Sequence, residues 1–434
     1  MAEIAPFRAC RYDVSVAGDL GRLIAPPYDV IDADLRGTLF RLSPYNIARI
    51  TRADRVGAAP SDNPYAAAGE LWTQWRQQGI IKQDEFPSLY VYEQFFEVHG
   101  QKLSRTALIA LIRLEPFGGG VLAHESTLNG PRADRLELMR ATRTQLGQVF
   151  GLYPDPAGAV DRILDQVKRR RPLVQASDRV DLLHRLWALT DPERIMQVQK
   201  EMRDKEILIA DGHHRYETSL AYREEHPELK SANFRMMSLV NMSNTGLVIL
   251  PTHRLVKGLQ NFQPEALLAG VKRAFEVKTY PGEAAAVRRA VIEAIREQQA
   301  EGRHAFGLFM GNGDHRMLIL RSEDLMNGDV KHSPAWRRLD ATILHRLVLE
   351  EQLGITPERL QAEENVEYVQ DFPHAIQAAA DRVRAGECQA LFLLNPTRVE
   401  EVQAIARNRE RMSQKSTFFY PKVYTGMAFY CMDE

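Results

Sequence analysis

The 434-residue sequence is poor in cysteine. Cys10, Cys388 and Cys431 are its only three, and they lie far apart. No CxxC pair and no Cys/His zinc spacing occurs, which argues against a disulfide framework and a structural zinc. Reduced thiols in the cytoplasm are the expectation. No apolar run approaches the ~18–20 residues of a membrane span. Glu3, Arg8, Arg11 and Asp13 interrupt the first segment, unlike the apolar core of a signal peptide. Neither sign of charge is in excess: Lys plus Arg is 56, Asp plus Glu is 57, and the net charge is −1. A general pull toward nucleic acid or anionic membrane is therefore not expected, although a local patch is compatible with that balance. The GxSxG elbow, the GxxxxGK[ST] loop, the dinucleotide glycine fingerprint and HExxH are also missing.

What is present is an ordinary globular composition, with 44% hydrophobic and 26% charged residues. At ~100–200 residues per domain, the length fits two or three domains. The texture changes near residue 260 toward charged helices and short strands. This divides the chain into 1–260 and 261–434, and a functional site shared by both is left open. The fold class expected is α/β with mixed α+β character.

Periodicity predicts helices over 65–78, 133–146, 156–167, 191–205, 264–275, 283–299, 339–353, 373–385 and 399–411. Val, Tyr, Phe and Ile enrichment predicts a hairpin from 88–98 and 105–114, with His99-Gly100 in its turn. A second hairpin is predicted around Gly311-Asn312-Gly313-Asp314. The basic run Lys168–Arg171 reads as a solvated helix end before it reads as a nucleic-acid contact.

The strongest chemical signal is Ile209–Tyr222, IADGHHRYETSLAY. A short apolar strand ends in Asp211, Gly212 permits a tight turn, and a helix follows. Backbone N–H groups at such a helix start favour phosphate, and Arg215 adds a planar fork of donors. Asp211 is a candidate base or metal ligand. His213 and His214 are candidates for phosphate binding, and His214 also for acid–base work.

A second constellation is His124-Glu125-Ser126-Thr127, which follows a glycine run. Glu125 is a candidate base or metal ligand, and His124 and Thr127 are candidate oxygen contacts. Pro251-Thr252-His253-Arg254 offers His253 and Arg254 to an anionic substrate. Near the C-terminus, Gln414-Lys415-Ser416-Thr417 makes Lys415 a phosphate candidate, and Phe418–Tyr420 reads as strand core. Asp29 and Asn46, each beside a proline-fixed turn, are further polar candidates.

The blocks IAPPYDVI, SPYNIARI, HEST with ADRLELMRAT, ADGHHRYETSLAY, LPTHRL, LNPT and QKSTFFYPK resemble, in order, the signature blocks of the domain of unknown function 1015 (DUF1015) family. The DGHHR block is also similar to the phosphate motif of ParB-like nucleotide-binding proteins, and more so to that of free-serine kinases on that fold. The resemblance implies a ParB-like, serine-kinase-like core with an additional mixed α/β region. It implies ATP-dependent phosphorylation of free L-serine with Mg²⁺ and ATP or ADP, the phosphates being bound by Gly212, His213, His214 and Arg215. To these the residue reading adds Thr127 and Lys415 as phosphate contacts and Asp29, His124, His253 and Arg254 as substrate contacts. Either Glu125 or Asp211 would take the serine hydroxyl proton and ligate the metal. A ParB-like nucleotide-dependent switch, with nucleic acid as partner, is the alternative, and a phosphatase or hydrolase the third. Nucleic acid and membrane are not expected as partners of a kinase, and a homo-oligomer is left open.

Overall fold

The computed structural model describes residues 3–52, 63–125, 129–311, 313–413 and 415–432, with the backbone alone at 129, 131 and 361. Two compact units emerge. Unit 1 contains Met1–Ala123, Thr127–Val248 and Pro421–Glu434; unit 2 contains His124–Ser126 and Ile249–Tyr420. The units are thus not two consecutive halves, because the last segment of the chain returns to unit 1.

Unit 1 is built on a mixed nine-stranded sheet. Its strands are β1 (Ile4–Ala5), β2 (Leu89–Val98), β3 (Gln101–Arg113), β4 (Val121–Leu122), β5 (Val149–Tyr153), β6 (Val174–Ser177), β7 (Leu183–Leu189), β8 (Ile207–Asp211) and β9 (Phe234–Asn241). The order is β4-β8-β5-β9-β3-β2-β7-β6, and β1 also pairs with β3. β4 with β8 and β5 with β9 are parallel; the other pairs of this sheet are antiparallel. β2 and β3 form the expected hairpin. His99 and Gly100 both have positive φ, 50° and 74°, the requirement of a tight turn whose twist matches the strands.

Helices flank this sheet: α1 (Pro64–Gln77), α2 (Asn129–Thr142), α3 (Ala159–Lys168), α4 (Pro192–Met202) and α5 (His213–Glu225). α1 starts on Asn63, whose side chain accepts from the N–H groups of Tyr65 and Ala66, with Pro64 at the first helical position. α3 buries Val160, Ile163, Leu164 and Val167, one stripe at helical spacing. These join Val91, Leu108, Ile207 and Leu239 of the sheet in one core. Lys168, at the end of α3, is tied to Glu93 and to Thr106 Oγ1 at 3.0 and 2.9 Å, and residues 169–171 are exposed. The basic run is therefore a solvated helix end, as its composition predicts.

The core leaves no room for a side chain at Gly151 of β5. A Cβ there would lie 2.9 Å from atoms of Ile207, Leu239 and Met237. Gly151→Ala should destabilise unit 1 by about 1–3 kcal/mol, the usual cost of overpacking. Thermal denaturation followed by circular dichroism would read this as a lower midpoint; an unchanged midpoint would contradict the packing.

Unit 2 is built on a six-stranded, wholly antiparallel sheet: β10 (Thr252–Val256), β11 (Phe275–Pro281), β12 (Ala305–Phe309), β13 (Asp314–Leu320), β14 (Val366–Gln370) and β15 (Ala390–Leu393). The order is β11-β13-β12-β15-β10-β14. Alternate residues serve opposite faces. Leu255, Phe309 and Leu391 meet Val291, Ile295, Ile376 and Val383 of two helices, α6 (Ala285–Ala300) and α7 (Pro373–Arg384). Val256, Phe306, Leu308 and Phe392 meet Val271, Ile343, Leu347 and Val348 on the other side. The helix expected over 339–353 is not uniform: it is α-helical over Asp340–Leu344 and π-helical over His345–Glu350.

Candidate functional site

The strand-to-helix junction read from the sequence is present in unit 1. β8 ends in Asp211, with a register shift against β5 between Ile209 and Asp211. Such bulges re-aim a side chain at the end of a strand. Gly212 follows at φ 94°, ψ 30°, and α5 begins at His213 with no side-chain cap. Glycine is required here twice over. Its backbone is left-handed, and a Cβ would meet the Arg215 guanidinium at 2.9–3.0 Å.

Asp211 lies between two cations. Lys422 Nζ donates to Oδ1 at 2.5 Å, and Arg215 NH2 donates to Oδ2 at 2.6 Å. Burial pushes the carboxyl pKa up, but Lys422, Arg215 and His213 outweigh it and hold it well below the usual carboxylate range. Arg215 is buried, and its NH1 also donates to the Gln148 carbonyl. His213 is buried and His214 half-buried, both in the first turn of α5.

Lys422 is placed by a residue the sequence reading did not single out. Arg105 of β3 is 1% exposed and donates to the Gln94 amide oxygen at 2.6 Å and to the Pro421 carbonyl at 2.5 Å. Gln94 in turn donates to the Lys422 carbonyl at 3.0 Å. Burial pulls the Arg105 pKa down to about 10 against the opposing pull of Tyr92 and Asp211. The C-terminal segment is thus clamped through the peptide carbonyls on both sides of Lys422. The one local signal was the QKSTFFYPK block, which contains Lys422 without saying what it meets.

In unit 2, a second group gathers around His124 and Glu125. His124 is buried, its Nε2 lies 3.2 Å from Thr417 Oγ1, and its carbonyl accepts from Met412 N–H at 2.7 Å. Glu125 is half-buried, and its Oε1 accepts from the backbone N–H of Lys415 at 3.4 Å. Lys415 itself has a positive φ of 57° and an exposed side chain. Thr127 and Ser126 lie outside the described residues.

Other candidates are placed elsewhere. Asp29 is exposed in a short turn, Tyr28–Val30. Asn46 is fully buried and spends its amide on the Arg22 and Ile24 carbonyls and the Ala48 N–H, so it holds a turn together. His253 and Arg254 lie inside the fold and not at its surface. They are 0% and 1% exposed within β10. His253 accepts from Leu394 N–H at 3.1 Å and lies 3.3 Å from Asp371. Arg254 donates to His345 Nε2 at 3.0 Å and to the Thr252 carbonyl at 2.5 Å, over the Tyr368 ring. Buried polar groups need such partners, yet the buried NH2 of Arg254 has none among the described residues. Among the described residues, no three His, Cys, Asp or Glu side chains form a metal-ligand set, and no helix is long and apolar enough to cross a membrane.

The sheet, the helices and the cationic strand-to-helix junction define a mixed α/β protein with two cations beside a helix start. The family model for proteins of unknown function DUF1015 matches residues 4–342, and the chain belongs to that family. No curated protein matches the sequence. Among solved structures, it is similar to a free serine kinase in complex with AMP, at 13% identity over 71% of this chain and 88% of that one, with a TM-score of 0.35. It is similar to a mutant free serine kinase in complex with ADP, at 14% identity, 71% and 89% coverage and a TM-score of 0.34. It is also similar to C-terminally truncated SbnI from Staphylococcus aureus, at 10% identity, 75% and 89% coverage and a TM-score of 0.35. At these identities and scores the likeness assigns no activity to this chain.

Proposed function

We propose that this protein is a small-molecule kinase that transfers a phosphoryl group from ATP to free L-serine, giving O-phosphoserine. The observation that carries the reading is the Asp211–Arg215 junction. A helix of thirteen residues opens without a side-chain cap, beside the cations Arg215 and Lys422. Phosphoryl transfer is mostly positioning and charge neutralisation, and this turn supplies the parts for it. In this reading the backbone of Gly212, His213 and His214 holds phosphate oxygens, with Arg215 and Lys422 balancing their charge.

The two carboxylates of the sequence reading divide by chemistry. Both oxygens of Asp211 are engaged by cations, and its pKa is depressed, which makes it a weak base and a poor metal ligand. Its role is to set Arg215 and Lys422. Glu125 is the carboxylate better suited to accept the serine proton and to serve as a ligand of Mg²⁺, an ion that takes one or two carboxylates plus phosphate oxygens. Mg²⁺ would supply charge neutralisation on the phosphates. The serine oxygen forms a bond to the terminal phosphorus, the bond to the bridging oxygen breaks, and the proton passes to the carboxylate. Thr127 and Lys415 are further phosphate contacts in this reading, His214 an acid–base group, and Asp29 and His124 substrate contacts.

The test is product analysis. Purified full-length chain is incubated with L-serine, Mg²⁺ and either ATP or ADP and followed by ³¹P nuclear magnetic resonance. The reading expects O-phosphoserine together with ADP or AMP, according to the donor. No phosphoserine with either nucleotide would overturn it, and free phosphate alone would indicate a hydrolase.

A further inference from the structure

A small pocket in unit 1 contains a charge that the proposed chemistry does not use. Its volume is about 50 Å³, and its lining includes Tyr28, Arg135, Gly147, Arg215 and Arg235. A water needs ~10–15 Å³ by the same kind of measure, so the space suits a few waters or one small oxyanion. It is far too small for a nucleotide.

The three arginines are 9%, 8% and 1% exposed. Two of them have a carboxylate. Arg135 donates to Asp134 at 2.6 Å and lies over the Tyr28 ring, and Arg215 donates to Asp211. Arg235 has none among the described residues. Its NH2 donates to the Gly147 carbonyl and its NH1 to Ser219 Oγ at 3.3 Å, both neutral acceptors. Its buried Nε has no hydrogen-bond partner among the described residues. Burial and the neighbouring Arg215 push its pKa well below the usual arginine value.

The position of Arg235 is not accidental slack. Gln145 brackets it: the Gln145 amide donates to the Phe234 carbonyl at 2.6 Å and accepts from Met236 N–H at 2.7 Å. The backbone on both sides of Arg235 is therefore fixed, and the side chain is delivered into the pocket. A buried, unpaired charge is expensive, and such groups are normally paired with a counter-charge. The neighbouring Asp134 and Asp211 are already engaged, by Arg135 with Tyr65 and by Arg215 with Lys422.

We propose that this pocket binds a small oxyanion, a carboxylate or a phosphate, with Arg235 as its anchor. The planar guanidinium suits either group, since both present paired oxygens. The inference does not depend on kinase activity; binding at Arg235 in a protein that turns over no nucleotide would leave it standing.

The experiment titrates the full-length chain at constant ionic strength in chloride with inorganic phosphate, acetate or L-serine, by calorimetry and thermal shift. The expected result is a saturable stabilisation that chloride does not reproduce and that weakens at least tenfold in Arg235→Met. Binding of phosphate alone identifies a phosphate pocket; binding of acetate and serine identifies a carboxylate pocket. Because Arg235→Met can fail to fold, crystals of the wild-type chain are also soaked in selenate. An anomalous peak beside Arg235 supports the proposal. Absence of saturable binding, retention of binding in a folded Arg235→Met, or a selenate peak only elsewhere would overturn it.

Discussion

Glu125→Gln is expected to lower kcat for serine phosphorylation by about 10²–10⁴-fold, the range a positioned general base contributes. The amide keeps the size of the side chain and can still accept from the Lys415 N–H. The fold should therefore survive, with a melting temperature close to that of the wild type. The loss should fall on kcat and kcat/KM together, because the proton is taken only in the transition state. Steady-state kinetics with circular dichroism as a control would check this. Full activity in a folded Glu125→Gln would remove Glu125 from the chemistry and return the base role to Asp211.

Asp211→Asn should have the largest effect on stability. Lys422 and Arg215 would each lose an ionised partner while their side chains stay largely buried, 12% and 10% exposed. Breaking such a buried pair costs about 3–5 kcal/mol, because the remaining charge is left uncompensated. The pH dependence follows from the depressed pKa of Asp211. Above the unfolded-state value of about 4, the carboxylate is ionised in both states and its contribution is complete. As pH falls below that value toward the lower folded pKa, the unfolded chain takes up the proton first and the contribution fades. The difference in melting temperature between wild type and Asp211→Asn should therefore be full near neutral pH and shrink in acid. A difference that does not change with pH would show that the cations do not hold Asp211 as described.

Much of this site was legible in the sequence because it is local. Asp211, Gly212 and Arg215 are close neighbours, and a strand followed by a positive-φ glycine and a helix is written in consecutive residues. What local pattern cannot express is the partner that arrives from elsewhere. Lys422 and Arg105 reach the same region only because the C-terminal segment folds back onto unit 1. Lys415, a few residues earlier, has the same charge and equally good hydroxyl neighbours, and nothing in composition separates the two.

The burial of His253 and Arg254 was hidden for the mirror-image reason. A histidine and an arginine at what looks like a strand end suggest an anion pocket. Their partners in the fold, Asp371 and His345, come from distant segments and hold both side chains inside a sheet. Strand recognition failed for a related reason at β11, residues Phe275–Pro281. This edge strand is mostly exposed and carries Glu276 and Lys278, so it lacks the apolar alternation of its neighbours. The hairpin of β2 and β3, with long buried runs and a two-residue turn, was readable at once.

The central claim is that the turn from Asp211 to Arg215 holds the phosphates of a nucleotide. A crystal structure of the full-length chain with ADP and Mg²⁺ tests it most directly. The account predicts phosphate density against the backbone N–H groups at the start of α5, within hydrogen-bond reach of Arg215 or Lys422. Nucleotide bound elsewhere, with the Asp211–Lys422–Arg215 cluster untouched, would contradict it.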